Sequence, residues 1–173
     1  MAAPSDWIEQ YLRMPVLIGA NLIFWGLVLW FADRYSRSAV HPRDHKTMRD
    51  MSWKQALLIG IAQALALFPG TSRSGITISA GLLTKLQKEE AIEFSFIMSI
   101  PIIAAAGILK FLDLLKSGFG TLTPTILTSG FLSSLLGGLA ALWLLTHIVR
   151  RYSFTPFVVY RIVIGALVLL FLQ

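Results

Sequence analysis

Seven consecutive residues, Pro69-Gly70-Thr71-Ser72-Arg73-Ser74-Gly75, hold the densest chemistry in the chain. Arginine presents a planar fork of donors that matches phosphate oxygens, and in apolar surroundings its charge is costly unless something pairs with it. Small neighbours let backbone amides converge on an anion. The helix expected from about Ile76 turns its unsatisfied N–H groups and positive end toward the same place. Thr71, Ser72, Ser74 and Thr77 add hydroxyls able to bind phosphate, one of which could act as a nucleophile. The combination describes a phosphate cradle, although the glycine spacing and the Lys-Ser/Thr ending of a Walker loop are absent. A plainer reading stays open beside it, in which Gly70 and Gly75 only permit the turn, Ser72 and Ser74 cap helix ends, and Arg73 pairs with Glu93.

Hydrolysis of a diphosphate needs charge stabilisation on the transferring phosphoryl group, a base or nucleophile, and help for the leaving group. Arg73 and the amides answer the first need. His41, His45 and His147 all fall near loops, and no carboxylate lies in the turn itself. Gln63, one turn before Leu67, is a candidate to hydrogen-bond within the same cavity. Glu93 is the one acidic residue placed to enter apolar surroundings, where it could neutralise Arg73, hold a cation or cap a first turn.

These residues sit among long apolar runs. Of the 173 residues, 55% are hydrophobic and 14% charged, and the mean hydropathy is +0.70, which points to lipid as the solvent. The 15 Lys and Arg outnumber the 9 Asp and Glu, yet they collect in short segments between apolar runs rather than along one stripe, which argues against nucleic acid. There is no cysteine, and so no disulfide framework and no thiolate.

Met14 to Ala32 reads as a first span, long enough at 1.5 Å per residue to nearly cross a hydrocarbon core of roughly 30 Å. Residues 1–13 before it suggest an interfacial segment, with Ser5 as a cap and Trp7 and Tyr11 at headgroup depth. Residues 33–54 form a basic loop that the positive-inside rule assigns to the cytoplasm, placing both termini outside. His41 and His45 are four apart within it, but Pro42 intervenes and no Asp, Glu or His cluster completes a metal site.

Residues 55–86 contain two half-length apolar helices, Gln55 to Phe68 and Ile76 to Leu86, meeting at the polar turn. That is the pattern of a re-entrant hairpin, with a single kinked span as its rival. Ala91 to Lys110, bent at Pro101, Thr125 to Thr146, and Phe154 to Leu172 supply further spans. Lys110 to Thr123 forms an external turn with Gly118 and Gly120. Gly130, Ser134 and Gly138 line a face for close helix packing. The expected fold is an all-α integral membrane protein of about four transmembrane helices plus one re-entrant helical hairpin.

The string from Gln63 to Gly75, followed by Thr77, Ser79 and Gly81 and by Glu93-Phe94-Ser95-Phe96, closely resembles the second half of the undecaprenyl-diphosphate phosphatase, or bacitracin-resistance protein, family. Phe154-Thr155-Pro156-Phe157 and Tyr160-Arg161 resemble its last helix region. The resemblance implies one repeat of an inverted-repeat fold in the bacterial inner membrane. The implied enzyme removes the terminal phosphate of a polyprenyl diphosphate carrier and recycles it for peptidoglycan synthesis. It further implies Arg73, Ser72 and Ser74 as diphosphate contacts, Gly70 and Gly75 as shapers of the cradle, and a divalent cation, Mg2+ or Ca2+, with no ligands assignable here.

The family's first repeat carries two Glu positions and a His position. Laid over this chain, they fall on Gln63, Leu67 and Ile76. The resemblance therefore leaves three accounts open: an incomplete representative lacking an N-terminal repeat, one part of a split enzyme, or a descendant without catalysis. Two other functional classes stand beside hydrolysis. A polyprenyl-phosphate flippase or transporter would use the same polar turn, and a non-catalytic membrane binding subunit would use the small-residue faces. Homo-oligomerisation could rebuild the pocket's shape without restoring the Glu and His groups.

Overall fold

A computed structural model describes residues 14–118, 123–151 and 153–172 of the chain. Among them are six α-helices: α1 (Pro15–Ser38), α2 (Trp53–Ala64), α3 (Arg73–Leu83), α4 (Lys88–Ser117), α5 (Pro124–Arg151) and α6 (Thr155–Phe171). The expected interfacial segment 1–13, with Ser5, Trp7 and Tyr11, lies outside the described residues, as does Gly120 of the expected external turn. Three helices are long and apolar enough to cross a membrane: Pro15–Ser38, Lys88–Lys116 and Pro124–Val149. The molecule is an all-α, multi-pass membrane protein. The expectation of about four spans meets three helices of that length, because Thr155–Phe171 is a shorter apolar helix of 17 residues.

Helix α1 begins with Pro15, which suits a first turn where its missing N–H is no loss, and continues past Ala32 to Ser38. The loop expected from Asp33 thus starts later, because Asp33 is a core residue rather than a loop residue. It is 1% exposed, lies 3.0 Å from the Arg37 guanidinium and 3.9 Å from the Lys88 ammonium, and accepts a hydrogen bond from the Phe154 amide at 3.4 Å. One carboxylate ties α1 to the starts of α4 and α6.

Helices α1 and α6 cross closely because glycines face each other. A Cβ on Gly165 would stand 2.7 Å from Ile23 Cγ1 and 2.8 Å from the Gly19 carbonyl oxygen, and one on Gly19 would stand 3.0 Å from the Gly165 oxygen. Small residues at such a crossing bring backbones together where lipid gives no hydrophobic drive for association. Helix α1 packs against both α6 and α3.

Helices α2 and α3 form the two arms of a helical hairpin. Ser52 caps α2 by accepting from the Gln55 amide at 3.3 Å, and the Gln55 side chain returns a bond from the Ser52 amide at 3.0 Å, a reciprocal box that sets the start. Gln55 also reaches the far arm, donating from Nε2 to the Thr84 carbonyl at 2.8 Å. A short backbone pairing of Lys46 with Lys85 and Gln87, at 2.8 and 3.0 Å, closes the same end. After Ala64 the backbone tightens into a 3₁₀ turn, Leu65–Leu67, rather than running as α-helix to Phe68. The second arm starts at Arg73, three residues before the expected Ile76, because Ser72 caps it by accepting from the Gly75 amide at 3.1 Å.

Helix α4 does not stop at Lys110 but continues to Ser117. Phe111, Leu112 and Leu115 extend its apolar surface, and Lys110 lies 4.0 Å from Asp113 one turn on, so the charges of the expected turn are compatible with helix. Helix α5 makes few contacts beyond α4. Its residues from Pro124 to Leu144 are exposed, and no described atom stands within 4 Å of a Cβ placed on Gly130, Gly137 or Gly138. The small-residue face expected for close packing has no partner among the described residues.

Candidate functional site: a serine and arginine cradle

The polar turn is held against α1. Gly70 has φ +80°, and a Cβ there would lie 2.6 Å from the Ile18 carbonyl oxygen, so both the conformation and the approach require glycine. Asn21 donates from Nδ2 to the Pro69 carbonyl at 2.8 Å. Arg161 of α6 donates from Nε to the Leu22 carbonyl and from Nη2 to the Gly70 carbonyl, each at 3.4 Å. Its Nη1 lies 3.4 Å from the position a Cβ on Gly75 would take. Gly75 therefore makes room for a guanidinium at the mouth of α3.

A cavity of about 230 Å³ opens at this point. Ser72, Ser74, Gly75 and Arg161 line its polar end, Leu29, Ile78, Leu145, Phe154 and Phe157 its apolar floor, and Tyr160 its rim. The Ser72 and Ser74 hydroxyls are 3.4 Å apart. As the first residues of α3, Arg73 and Ser74 carry N–H groups with no intrahelical acceptor. Two hydroxyls, helix-start amides and a guanidinium thus converge where an anion is favoured.

Each residue singled out from sequence has a definite place. Arg73 is half-buried at the start of α3, outside the lining of that cavity, with Nη1 buried and without a hydrogen-bond partner among the described residues. The same holds for Thr71 Oγ1 and Gln63 Oε1, so unsatisfied polar atoms collect on the turn and its approach. Such atoms are costly to bury unpaired. Thr77 is turned elsewhere: its hydroxyl lies 2.6 Å from Ser95 Oγ on α4 and 3.0 Å from the Arg73 carbonyl. It is 1% exposed and joins α3 to α4. Glu93 lines a separate groove of about 450 Å³ between α4 and α5, with Glu89, Phe96 and Thr146 among its neighbours. No ion pair joins Glu93 to Arg73 among the described residues.

Sequence reasoning assigned no site role to Arg161 or Asn21. The available signal was their setting, since each is a strongly polar side chain inside an apolar helix, where such residues are expensive and mark sites. His41 Nδ1 accepts from the Arg43 amide at 3.3 Å and so serves its own loop. Among the described residues no group of three His, Asp or Glu stands close enough to hold a metal ion.

The family model described as bacitracin resistance protein BacA matches residues 1–167. Undecaprenyl-diphosphatase 2 of Stutzerimonas stutzeri (strain A1501) is 42% identical over 165 residues, covering 95% of this chain and 60% of that protein. Undecaprenyl-diphosphatase 1 of Pseudoalteromonas translucida (strain TAC 125) is 38% identical over 168 residues, 97% of this chain and 60% of that protein. The undecaprenyl-diphosphatase of Chromohalobacter salexigens is 42% identical over 162 residues, 94% of this chain and 58% of that protein. The chain spans about 60% of the length of these curated relatives.

Proposed function

The chain belongs to the bacitracin resistance protein BacA family, and from that premise we propose that it carries the phosphate-holding half of a polyprenyl-diphosphate phosphatase. The observation that carries this reading is the shared cavity of Ser72, Ser74, Gly75 and Arg161 at the start of α3. The terminal phosphate of a polyprenyl diphosphate sits there, its oxygens accepting from the two hydroxyls, the amides of Arg73 and Ser74, and the Arg161 guanidinium. Arg73 adds a second cation whose buried Nη1 an anion would satisfy. Water attacks the terminal phosphorus, its oxygen forming the new bond as the bond to the bridging oxygen breaks and its proton passing to a base outside this cradle, so that inorganic phosphate and polyprenyl phosphate are released. The cradle stabilises charge on the transferring phosphoryl group, which is the larger part of phosphoryl-transfer catalysis.

The helical hairpin α2–α3 enters and leaves the bilayer from one side, with the polar turn inside. Its closed end, at Lys46 and Lys85, lies beside the basic loop, which the positive-inside rule assigns to the cytoplasm of the bacterial inner membrane, with both termini outside. Helix α6 is the fourth span, since 17 residues is the lower limit for crossing.

A second reading has its own support: the cavity lining contains no Asp, Glu or His, so this chain binds the lipid diphosphate while the base and acid come from outside it or are lost. Binding of undecaprenyl diphosphate to the purified chain in detergent tests the shared part of both readings. Arg161→Ala should weaken that binding at least tenfold. Unchanged affinity in both Arg161→Ala and Arg73→Ala would refute the cradle.

A further inference from the structure

We propose that the apolar floor of the cradle cavity is a seat for the isoprenyl carbons nearest the diphosphate, with Phe157 and Leu145 as its selecting walls. This rests on the phosphate-holding reading above and adds how much of the lipid tail is recognised and where the rest leaves.

The register of α6 gives the first argument. Phe157 and Arg161 are four residues apart and therefore on one face, one turn from each other, and both line the same cavity. A chain attached to a phosphate held by Arg161 meets Phe157 next. The floor beneath is preformed, because Ile78 and Phe154 are 3% and 1% exposed and cannot turn away without disturbing the core. Leu145 closes the cavity from α5, a helix that otherwise has little contact with the bundle, so the chain-binding wall is built by the element with the fewest other attachments.

Size and exposure give the second argument. At roughly 30 Å³ for each water-sized group, a cavity of about 230 Å³ has room for a phosphate and a few carbons rather than for a long polyprenyl chain. Recognition is thus confined to the first isoprene unit. Tyr160 at the rim is 65% exposed, which leaves an open side through which the remaining chain passes into lipid. Affinity should rise steeply over the first carbons and then level off, since each fully buried methylene contributes about fourfold and those beyond the rim exchange one apolar medium for another.

The test is competition binding to the full 173-residue chain in detergent, with inorganic pyrophosphate, dimethylallyl diphosphate, geranyl diphosphate and farnesyl diphosphate as probes. Geranyl diphosphate should bind at least tenfold more tightly than pyrophosphate, and farnesyl diphosphate within about threefold of geranyl. Leu145→Trp, which fills the floor, should bring the ratio of geranyl to pyrophosphate affinity down to about one. Phe157→Ala, a truncation that does not depend on accommodating a larger side chain, should lose most of the same gain. Tight pyrophosphate binding with no gain for the isoprenyl probes, or a gain that survives in both variants, overturns the inference and leaves the cradle standing. Failure of every probe to bind a monodisperse sample overturns the cradle and this inference together.

Discussion

The glycines divide the molecule into two regions. In the cluster of α1, α3 and α6, a Cβ added at Gly19, Gly70 or Gly165 would meet another atom at 3.0 Å or less. Along α4 and α5, Gly107, Gly130, Gly137 and Gly138 have nothing within 4 Å. The same residue type thus closes helix contacts in one region and lies open in the other. The site is in the first region, where Gly70 lays the turn on α1 and Gly75 admits Arg161. Close backbone approach is what brings a guanidinium from the end of the chain to a turn near its middle.

The sharpest way to break this contrast is Gly70→Ala. It forces a side chain into a left-handed conformation and against the Ile18 carbonyl, at a combined cost of about 3 kcal/mol or more. Thermal unfolding in detergent should show a drop of many degrees or no folded protein, while Gly130→Ala in the open region should stay within about 1 kcal/mol of the parent, on the stabilising side. Gly165→Ala comes next. A helical glycine replaced by alanine gains up to about 1 kcal/mol of propensity, but overpacking at the α1–α6 crossing costs about 1–3 kcal/mol, so a net loss is expected. A stability equal to that of Gly130→Ala would mean that the crossing is not tight.

Thr77→Val probes the join between the two regions. It removes the hydroxyl that faces Ser95 on α4 and leaves that buried partner unsatisfied, at about 1–3 kcal/mol. Phosphate affinity should change little, and a loss as large as that of Arg161→Ala would return Thr77 to the list of phosphate contacts.

The smallest effect belongs to the basic loop, outside both regions. Hydrogen bonds from Thr47 hold the Asp50 carboxyl below its ordinary value of 3.8. A depressed pKa in the folded state means that the carboxylate stabilises above the unfolded value and that this contribution disappears as pH falls through the folded one. Asp50→Asn should therefore be slightly less stable than the parent at neutral pH and indistinguishable from it in acid below the folded value. Unfolding curves recorded from pH 7 downward check the sign.

The sequence made the local parts of this arrangement legible and left the distant ones hidden. Two short apolar helices around Pro69–Gly75 follow from hydropathy and turn residues, and the hairpin has those arms. Charge does not mark the helix ends here: Asp33 is buried beside Arg37 and Lys88, and Lys110 lies within a helix beside Asp113. Ser72 is legible as a cap, but its consequence, an α3 that begins at Arg73, depends on a single side-chain bond to the Gly75 amide. Arg161 reaches Gly70 across 91 positions of sequence, and no local pattern encodes a contact set by the crossing of α1 and α6. Thr77 reads as a phosphate ligand from its place in the motif, whereas its hydroxyl lies 2.6 Å from Ser95 Oγ, a neighbour that only the packing of α3 on α4 supplies.

The decisive measurement is binding of undecaprenyl diphosphate and release of inorganic phosphate on the same purified 173-residue sample, with Arg73→Ala and Arg161→Ala variants alongside. Binding that both arginine variants weaken is expected, with no phosphate release from this chain alone, because its cradle holds no acid or base. Robust release abolished by either variant would contradict that expectation and would show that this chain contains a complete catalytic centre.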